Sequence, residues 1–251
     1  MEYIFLAFLS TVGTWLLTAS GSATVFFFKK INDRVLSMML GFSAGIMLAA
    51  SYFSLLKPAI EVSVHPPWLT VSVGFVLGGI ILILCDGIIS CIQKNRLSKK
   101  RTFMLISAIT MHNIPEGLVV GVAFGTLKGQ DINLISILPA FSIALGIGLQ
   151  NFPEGAAVSV PLRREGYSRA KSFFYGQLSG AVEPVFGVLG AVLIGFFTPI
   201  LPYALAFSAG AMVFVAVKEL IPEAEKQGGY LPSLGCILGF TVMMLLDVAL
   251  S

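Results

Sequence analysis

Long apolar stretches separated by short polar breaks follow one another along the whole chain. Each stretch is about 20 residues or longer, which is the length that an α-helix needs to cross a bilayer. Most breaks hold charged residues. The short TPILP segment at 198–202 holds two prolines but no charged residue. The pattern predicts eight transmembrane helices, at about 4–28, 35–56, 69–92, 103–127, 134–161, 172–197, 201–220 and 231–250.

The composition agrees with a bilayer as the solvent. Hydrophobic residues make up 56% of the 251 positions and charged residues 12%, whereas about 25% charge is usual in a soluble domain. We therefore expect an all-α, polytopic membrane protein in which residues 1–251 form a single transmembrane domain. Its surroundings are lipid, and no nucleic acid partner is expected.

The basic residues indicate how the chain is oriented, because cytoplasmic loops carry an excess of lysine and arginine. Even-numbered loops hold only Lys57 and Lys128. The odd-numbered loops and their edges hold all the others: Lys29, Lys30, Arg34, Lys94, Arg96, Lys99, Lys100, Arg101, Arg163, Arg164, Arg169, Lys171, Lys218 and Lys226. This asymmetry predicts that the odd loops lie in the cytoplasm and both termini outside it.

A short sequence segment occurs in similar form in both halves of the chain. Residues 42–47 read FSAGIM and residues 207–212 read FSAGAM, at the starts of predicted spans two and seven. These spans run in opposite directions, which is typical of transporters with inverted repeats. The repeat predicts that helices 1–3 are related to helices 6–8 around a central pair, helices 4 and 5. The alternative is chance similarity between small-residue helices.

The central pair carries the most polar intramembrane motifs, HNIPEG at 112–117 and QNFPEG at 150–155. Ionisable residues at membrane depth are costly and are usually functional. His112 and Glu116 lie one turn apart on one face. At about 100° per residue, Glu116 projects between His112 and Asn113. A carboxylate in this position can bridge two metal ions.

The second motif repeats this geometry, with Glu154 between Gln150 and Asn151 on the helical wheel. Pro115 and Pro153 cannot donate to the carbonyls one turn earlier, and their rings are expected to push that turn open. We therefore expect two proline-broken helices. Freed carbonyls at this depth are tolerated where they face protein or a wet cavity.

Two further residues extend the candidate ligand set. Glu183 precedes Pro184 at mid-membrane depth in span six, and Met47 lies in the first repeat copy. A mixture of imidazole, carboxylate, amide and thioether suits borderline divalent ions better than Mg²⁺. The alternatives are a core histidine, amides that only bond helix to helix, and a methionine that fills a gap.

Acidic residues near the ends of the spans indicate an ion path. Glu61 and Asp247 are predicted on the outer side with His65, and Asp86, Glu219 and Glu223 towards the cytoplasm. Acidic residues at the two mouths attract cations and pass them on. The alternative is that these residues are solvated helix ends.

At these motifs the sequence resembles the ZIP family of metal-ion transporters, specifically the bacterial branch with HNxPEG in span four and (H/Q)NxPEG in span five. The resemblance extends over the whole chain and includes the Glu-Pro of span six and IPEAE after span seven. It implies uptake of Zn²⁺, and also of Cd²⁺, Fe²⁺ or Mn²⁺, into the cytoplasm by alternating access. The metal is the cargo, so no resident cofactor and no enzymatic activity are expected.

The resemblance also implies a binuclear site at mid-membrane. One ion is expected among Met47, His112, Glu116, Gln150 and Glu154, and the other among Asn113, Glu116, Asn151, Glu154 and Glu183. It further implies an outer mouth near Glu61 and Asp247, an inner mouth near Asp86 and Glu219, a homodimer, and a place in the bacterial inner membrane.

One departure from the family bears on the cargo. Gln150 stands where many relatives have histidine, and Asn151 where some have aspartate. A neutral amide in place of imidazole is expected to weaken Zn²⁺ binding at the first ion.

Two other functions remain open at this point. An intramembrane metalloenzyme is one, since His112 and Glu116 at i, i+4 can hold a catalytic zinc, although HExxH is absent. A non-transporting helical scaffold with a structural metal is the other.

Overall fold

The computed structural model describes residues 1–27, 32–64, 66–93, 100–196, 198–226 and 228–250 of the chain. Within these ranges it describes the backbone alone at residues 86, 89, 90, 92, 93, 100–112, 164, 198 and 250. His65 and the side chains of His112 and Asp86 therefore lie outside the described residues. Helices account for nearly all of what is described, and no strand occurs there, so the predicted all-α class is confirmed.

The helices are numbered here in chain order. Several are built from successive pieces. They are α1 (Glu2–Ser22, then Thr24–Phe27), α2 (Asp33–Ala50, a π-helix Ser51–Leu56, then Lys57–Glu61), α3 (Pro67–Gln93), α4 (Lys100–Gly125), α5 (Leu134–Arg164), α6 (Arg169–Gly180 and Glu183–Phe196), α7 (Leu201–Val215, a π-helix Ala216–Leu220, then Ile221–Glu225) and α8 (Leu231–Leu250).

The helix bounds follow from the sequence pattern. Each predicted span agrees with a helix to within five residues at either end. Seven segments of the described residues are long and apolar enough to cross a membrane, and α4 contributes there the shorter apolar helix Asn113–Gly125. An apolar solvent favours helices because they satisfy their own backbone hydrogen bonds. Polar side chains cap the helices at the breaks, as Asn133 does for Ile135 and Ser136 at the start of α5.

The helices pack in four pairs. α1 lies along α5 and α4 along α6, and these four form one group that surrounds the polar motifs. α2 lies along α8 and α3 along α7, and these four form a second group. The two groups meet chiefly where α2 packs on α5 and where α7 packs on α4. The candidate site lies within the first group, beside α2.

Glycines allow the backbones of the paired helices to approach closely. A Cβ added at Gly45 of α2 would lie 2.0 Å from the Cys236 carbonyl oxygen of α8, and one at Gly239 of α8 would lie 2.0 Å from the Phe42 oxygen of α2. Gly78 of α3 and Gly210 of α7 make equivalent contacts with Phe207 and Phe75. Lipid supplies no hydrophobic driving force between helices, so their association depends on the close packing that small residues allow.

The prolines of the two central motifs do not break their helices. α4 continues through Pro115 and α5 through Pro153, so the expectation of two proline-broken helices is wrong. Each proline removes one N–H donor, but neighbouring helices pack tightly enough to keep the helix intact. The real interruption lies in α6, at residues 181–182, directly before Glu183 and Pro184.

Candidate metal site

A cluster of buried polar side chains fills the centre of the first helix group. It contains the six described polar residues that the sequence predicts as ligands, and none of them is more than 3% exposed: Asn113 and Glu116 from α4, Gln150, Asn151 and Glu154 from α5, and Glu183 from α6. Met47 of α2 is also buried. Burial of so many polar groups in an all-helical membrane core is costly without partners, so their contacts decide what the cluster can do.

The two central motifs face each other. Gln150 Nε2 of α5 donates a hydrogen bond to Glu116 Oε1 of α4. This contact joins the glutamate of one motif to the first polar residue of the other. His112 lies one turn before Glu116 on α4, but its side chain is outside the described residues.

Ser43 connects the second helix group to the cluster. Its hydroxyl donates to Glu154 Oε1 at 2.6 Å and approaches the backbone oxygen of Gln150 at 3.3 Å. Met47 follows one turn later on the same helix. The repeat segment FSAGIM therefore lies against the glutamate of the α5 motif.

Glu183 is surrounded by donors. Asn151 Nδ2 lies 3.0 Å from each of its carboxylate oxygens. Thr14 Oγ1 of α1 donates to Oε2, and Thr18 Oγ1 lies 3.5 Å from Oε1. Donors from two other helices, α1 and α5, thus converge on this one carboxylate, which lies at the interruption of α6.

Several buried polar atoms in the cluster have no hydrogen-bond partner among the described residues. They are Asn113 Oδ1 and Nδ2, Glu116 Oε2, Gln150 Oε1 and Asn151 Oδ1. A buried polar group left in this state costs about 1–3 kcal/mol, so native proteins contain few of them. Four of the five atoms are oxygens. This arrangement argues against amides that serve only to bond helices together, and it fits a set of oxygen ligands for a cation.

Carboxylates alone do not complete a site among the described side chains. No three His, Cys, Asp or Glu residues there come together closely enough to hold a metal ion. The amide oxygens of the cluster are therefore further candidate ligands beside the carboxylates, as is the His112 side chain beyond the described set.

The predicted mouth residues have different surroundings. Asp247 of α8 is only 7% exposed and accepts a hydrogen bond of 2.8 Å from Ser54, in the π-helix of α2. Glu61 is exposed at the end of α2, and Glu219 is half-buried in the π-helix of α7. Glu223 is exposed and forms an ion pair with Lys226. Asp247 is thus a buried residue between two helices rather than a solvated helix end.

Sequence reasoning missed three hydroxyl groups of the cluster, those of Thr14, Thr18 and Ser43. Thr14 and Thr18 are one turn apart on α1, and Ser43 belongs to the repeat segment. Small hydroxyl residues are common in membrane helices, where they often bond to their own backbone. Nothing in their spacing alone distinguishes those that contact a carboxylate.

These features define the chain as a multi-helix membrane protein with a buried polar site between the HNIPEG and QNFPEG motifs. Residues 92–247 match the family described as ZIP zinc transporter. The chain belongs to this family, and the resemblance seen at the motifs is confirmed.

Relatives from animals and bacteria match almost the whole chain. Zinc transporter ZIP11 of Homo sapiens is 38% identical, over 98% of this chain and 98% of its own length. Zinc transporter ZupT of Streptococcus mutans is 34% identical, over 96% of each chain. Zinc transporter GufA of Myxococcus xanthus is 30% identical, over 93% of this chain and 94% of its own length.

Proposed function

We propose that this protein transports divalent metal cations, Zn²⁺ first among them and Cd²⁺, Fe²⁺ and Mn²⁺ as further candidates, across a bacterial cell membrane into the cytoplasm. The observation that carries the proposal is the cluster of buried carboxylate and amide oxygens at the centre of the helices, several of which have no partner in the part of the chain that the structure describes. The relatives named zinc transporters support the same substrate class. No observation favours the metalloenzyme alternative.

The site is proposed to hold two ions. Gln150 and Glu116 bond to each other on one side of the cluster, and Asn151 and Glu183 on the other. The first ion would use Met47, His112, Glu116, Gln150 and Glu154. The second would use Asn113, Glu116, Asn151, Glu154 and Glu183. On the helical wheel each glutamate, Glu116 or Glu154, projects between a proposed ligand of the first ion and one of the second, so these two glutamates would bridge the ions.

The architecture is proposed to be eight spans with an inverted repeat and both termini outside. The close contacts of the second helix group support it. Gly41 and Gly45 of α2 lie against α8, just as Ala206 and Gly210 of α7 lie against α3. Gly45 and Gly210 are the fourth residues of FSAGIM and FSAGAM, and Gly41 and Ala206 are the residues directly before these segments. Each of these two helices then continues into a π-helix at the same distance from the repeat segment.

The ion path and the transport mechanism follow from this symmetry. We place the outer mouth near Glu61 and the Ser54–Asp247 contact of α2 with α8, and the inner mouth near Asp86 and Glu219. The division into two four-helix groups supports alternating access, in which one group moves relative to the other around the site. Homodimer formation stays a prediction from the family resemblance.

Uptake of metal by proteoliposomes that contain the purified protein tests the function. Zn²⁺, Cd²⁺, Fe²⁺ and Mn²⁺ are each offered outside, and a fluorescent or radioactive signal is read inside. We expect saturable uptake of at least Zn²⁺ or Cd²⁺ into the proteoliposomes. Cells that express the protein should accumulate the metal if transport is directed into the cytoplasm. Metal that binds to the protein without crossing the membrane would instead support the scaffold alternative.

Gln150→His is expected to shift selectivity towards Zn²⁺. Imidazole is a better ligand for Zn²⁺ than an amide oxygen, so the half-saturating Zn²⁺ concentration should fall relative to that of Mn²⁺ by about tenfold. Competition between the two metals in the uptake assay measures the ratio. An unchanged ratio would remove Gln150 from the first ion site. Gln130→His, on an exposed turn, is the matched control.

A further inference from the structure

The inner face of α1 carries a row of buried threonines that contact different groups. Thr11, Thr14 and Thr18 are all 2% exposed or less. Among the described residues, the Thr11 hydroxyl donates within its own helix alone, to the backbone oxygens of Ala7 at 2.7 Å and Phe8 at 3.0 Å. The Thr14 hydroxyl contacts the Thr11 oxygen at 2.9 Å and also donates to the carboxylate of Glu183. Thr14 therefore reaches the metal site, where Thr18 Oγ1 also lies 3.5 Å from Glu183 Oε1, whereas Thr11 does not.

The interruption of α6 is also stabilised from α1. The amide of Ala181 donates to Leu178, three residues earlier, at 3.2 Å. This leaves the Gln177 oxygen without its usual helical partner, and Trp15 Nε1 donates to it at 2.9 Å. Since Glu183 begins the second half of α6, the neighbours Thr14 and Trp15 together fix both the carboxylate and the backbone turn that presents it.

The repeat gives α1 and α6 equivalent places beside the two motifs. A Cβ on Gly155 of the α5 motif would lie 2.0 Å from the Thr18 backbone oxygen, and a Cβ on Gly117 of the α4 motif would lie 2.6 Å from the Glu183 backbone oxygen. Gly155 and Gly117 are the last residues of QNFPEG and HNIPEG. The corresponding glycines of the two motifs therefore lie against the backbones of Thr18 in α1 and of Glu183 in α6.

We propose that Thr14 is a positioning residue of the metal site, which holds the Glu183 carboxylate in the orientation that receives a divalent cation. The inference rests on the proposed function, because it assigns Glu183 to the second ion. Hydrogen bonds from groups behind a ligand fix its orientation and commonly change metal affinity by about 10- to 100-fold. Thr14 Oγ1 and Asn151 Nδ2 reach the same oxygen, Oε2, from different helices, which restricts rotation of the carboxylate.

The test compares Thr14→Val with Thr11→Val in metal binding and in uptake. Both changes replace a hydroxyl by a methyl group in a buried part of α1, but only the first removes a bond to Glu183. We expect Thr14→Val to raise the half-saturating Zn²⁺ concentration by about tenfold, and Thr11→Val to leave it within about twofold of the wild-type value. Thr14→Ser, which keeps the hydroxyl, should restore the wild-type value.

Metal-induced thermal stabilisation separates positioning from a purely structural role. Titration of the purified protein with Cd²⁺ should raise the melting temperature less in Thr14→Val than in Thr11→Val at the same metal concentration. A Thr14→Val protein that melts at a lower temperature without metal, yet keeps the wild-type metal response, would overturn the proposal. So would a Thr11→Val protein that loses as much affinity.

The binding measurement also keeps this inference distinct from the proposed function. A wild-type protein that binds Cd²⁺ but takes up no metal would contradict transport, while the comparison of the threonine variants would still decide the role of Thr14. A wild-type protein that transports metal, with Thr14→Val indistinguishable from it in both assays, would refute the positioning role alone.

Discussion

Metal uptake should fall by more than about a hundredfold when Glu116 and Glu154 are both replaced by glutamine. Mutation of a residue that only hydrogen-bonds to a metal ligand already lowers metal affinity or activity by about 10- to 100-fold. The exchange keeps the volume of both side chains and their capacity to accept from Gln150 Nε2 and the Ser43 hydroxyl. It removes the two negative charges that offset the lost hydration of a divalent cation. The helices should therefore still pack, while the cation is no longer bound at membrane depth.

Initial rates of Zn²⁺ and Cd²⁺ uptake into proteoliposomes measure this effect, with the melting temperature as a check on folding. Glu2→Gln, an exposed carboxylate in the first turn of α1, is the control for loss of charge alone. The single variants should each lose part of the activity, because each glutamate would bridge both ions. Undiminished uptake in the double variant would mean that the ions are held elsewhere.

Gly78→Ala should destabilise the protein, whereas Gly79→Ala in the next position of α3 should not. A Cβ on Gly78 would lie 2.0 Å from the Phe207 backbone oxygen and 2.9 Å from the Ala211 nitrogen of α7. The nearest atom to a Cβ on Gly79 is the Gly210 oxygen at 3.9 Å, which is ordinary contact. Because the obstacle is backbone rather than a flexible side chain, α3 and α7 would have to separate.

The expected loss for Gly78→Ala is about 3 kcal/mol, at the upper end of what overpacking costs. Gly79→Ala should be neutral or slightly stabilising, by up to about 1 kcal/mol, because alanine favours the helix. Thermal melting in detergent compares the two variants directly. Equal melting temperatures for both would contradict the close approach of α3 and α7 and weaken the proposed repeat.

The helices were predictable from the sequence because a bilayer leaves few alternatives. Apolar stretches must form helices, and charged residues such as Lys57 lie near their ends unless other protein groups surround them. The pairing of the central motifs was also predictable, since HNIPEG and QNFPEG carry the same residue types at the same spacing. The bond from Gln150 to Glu116 agrees with the shared helix face that this spacing indicates.

Other features depend on contacts between helices that no local pattern specifies. Proline chemistry pointed to breaks at Pro115 and Pro153, but packing keeps α4 and α5 continuous. The sequence predicted Asp247 at an outer mouth and left a solvated helix end as the alternative, but it could not show that Ser54 on a neighbouring helix gives this residue a buried partner. Thr14 was not distinguishable from Thr11 by sequence, since both are threonines on one face of α1. Only the position of α6 separates their roles.

The π-helices of α2 and α7 also bear on a difference in length between the segments that follow FSAGIM and FSAGAM. The first copy has one residue more than the second between its phenylalanine and its proline, Phe42 to Pro58 against Phe207 to Pro222. In a regular α-helix, one additional residue would rotate everything beyond it by about 100°. The π-helix of α2 is one residue longer than that of α7, so the extra residue is absorbed in the wide turn. One additional residue at this point can therefore be accommodated locally, so that the last part of each helix keeps the same side towards the neighbouring helices.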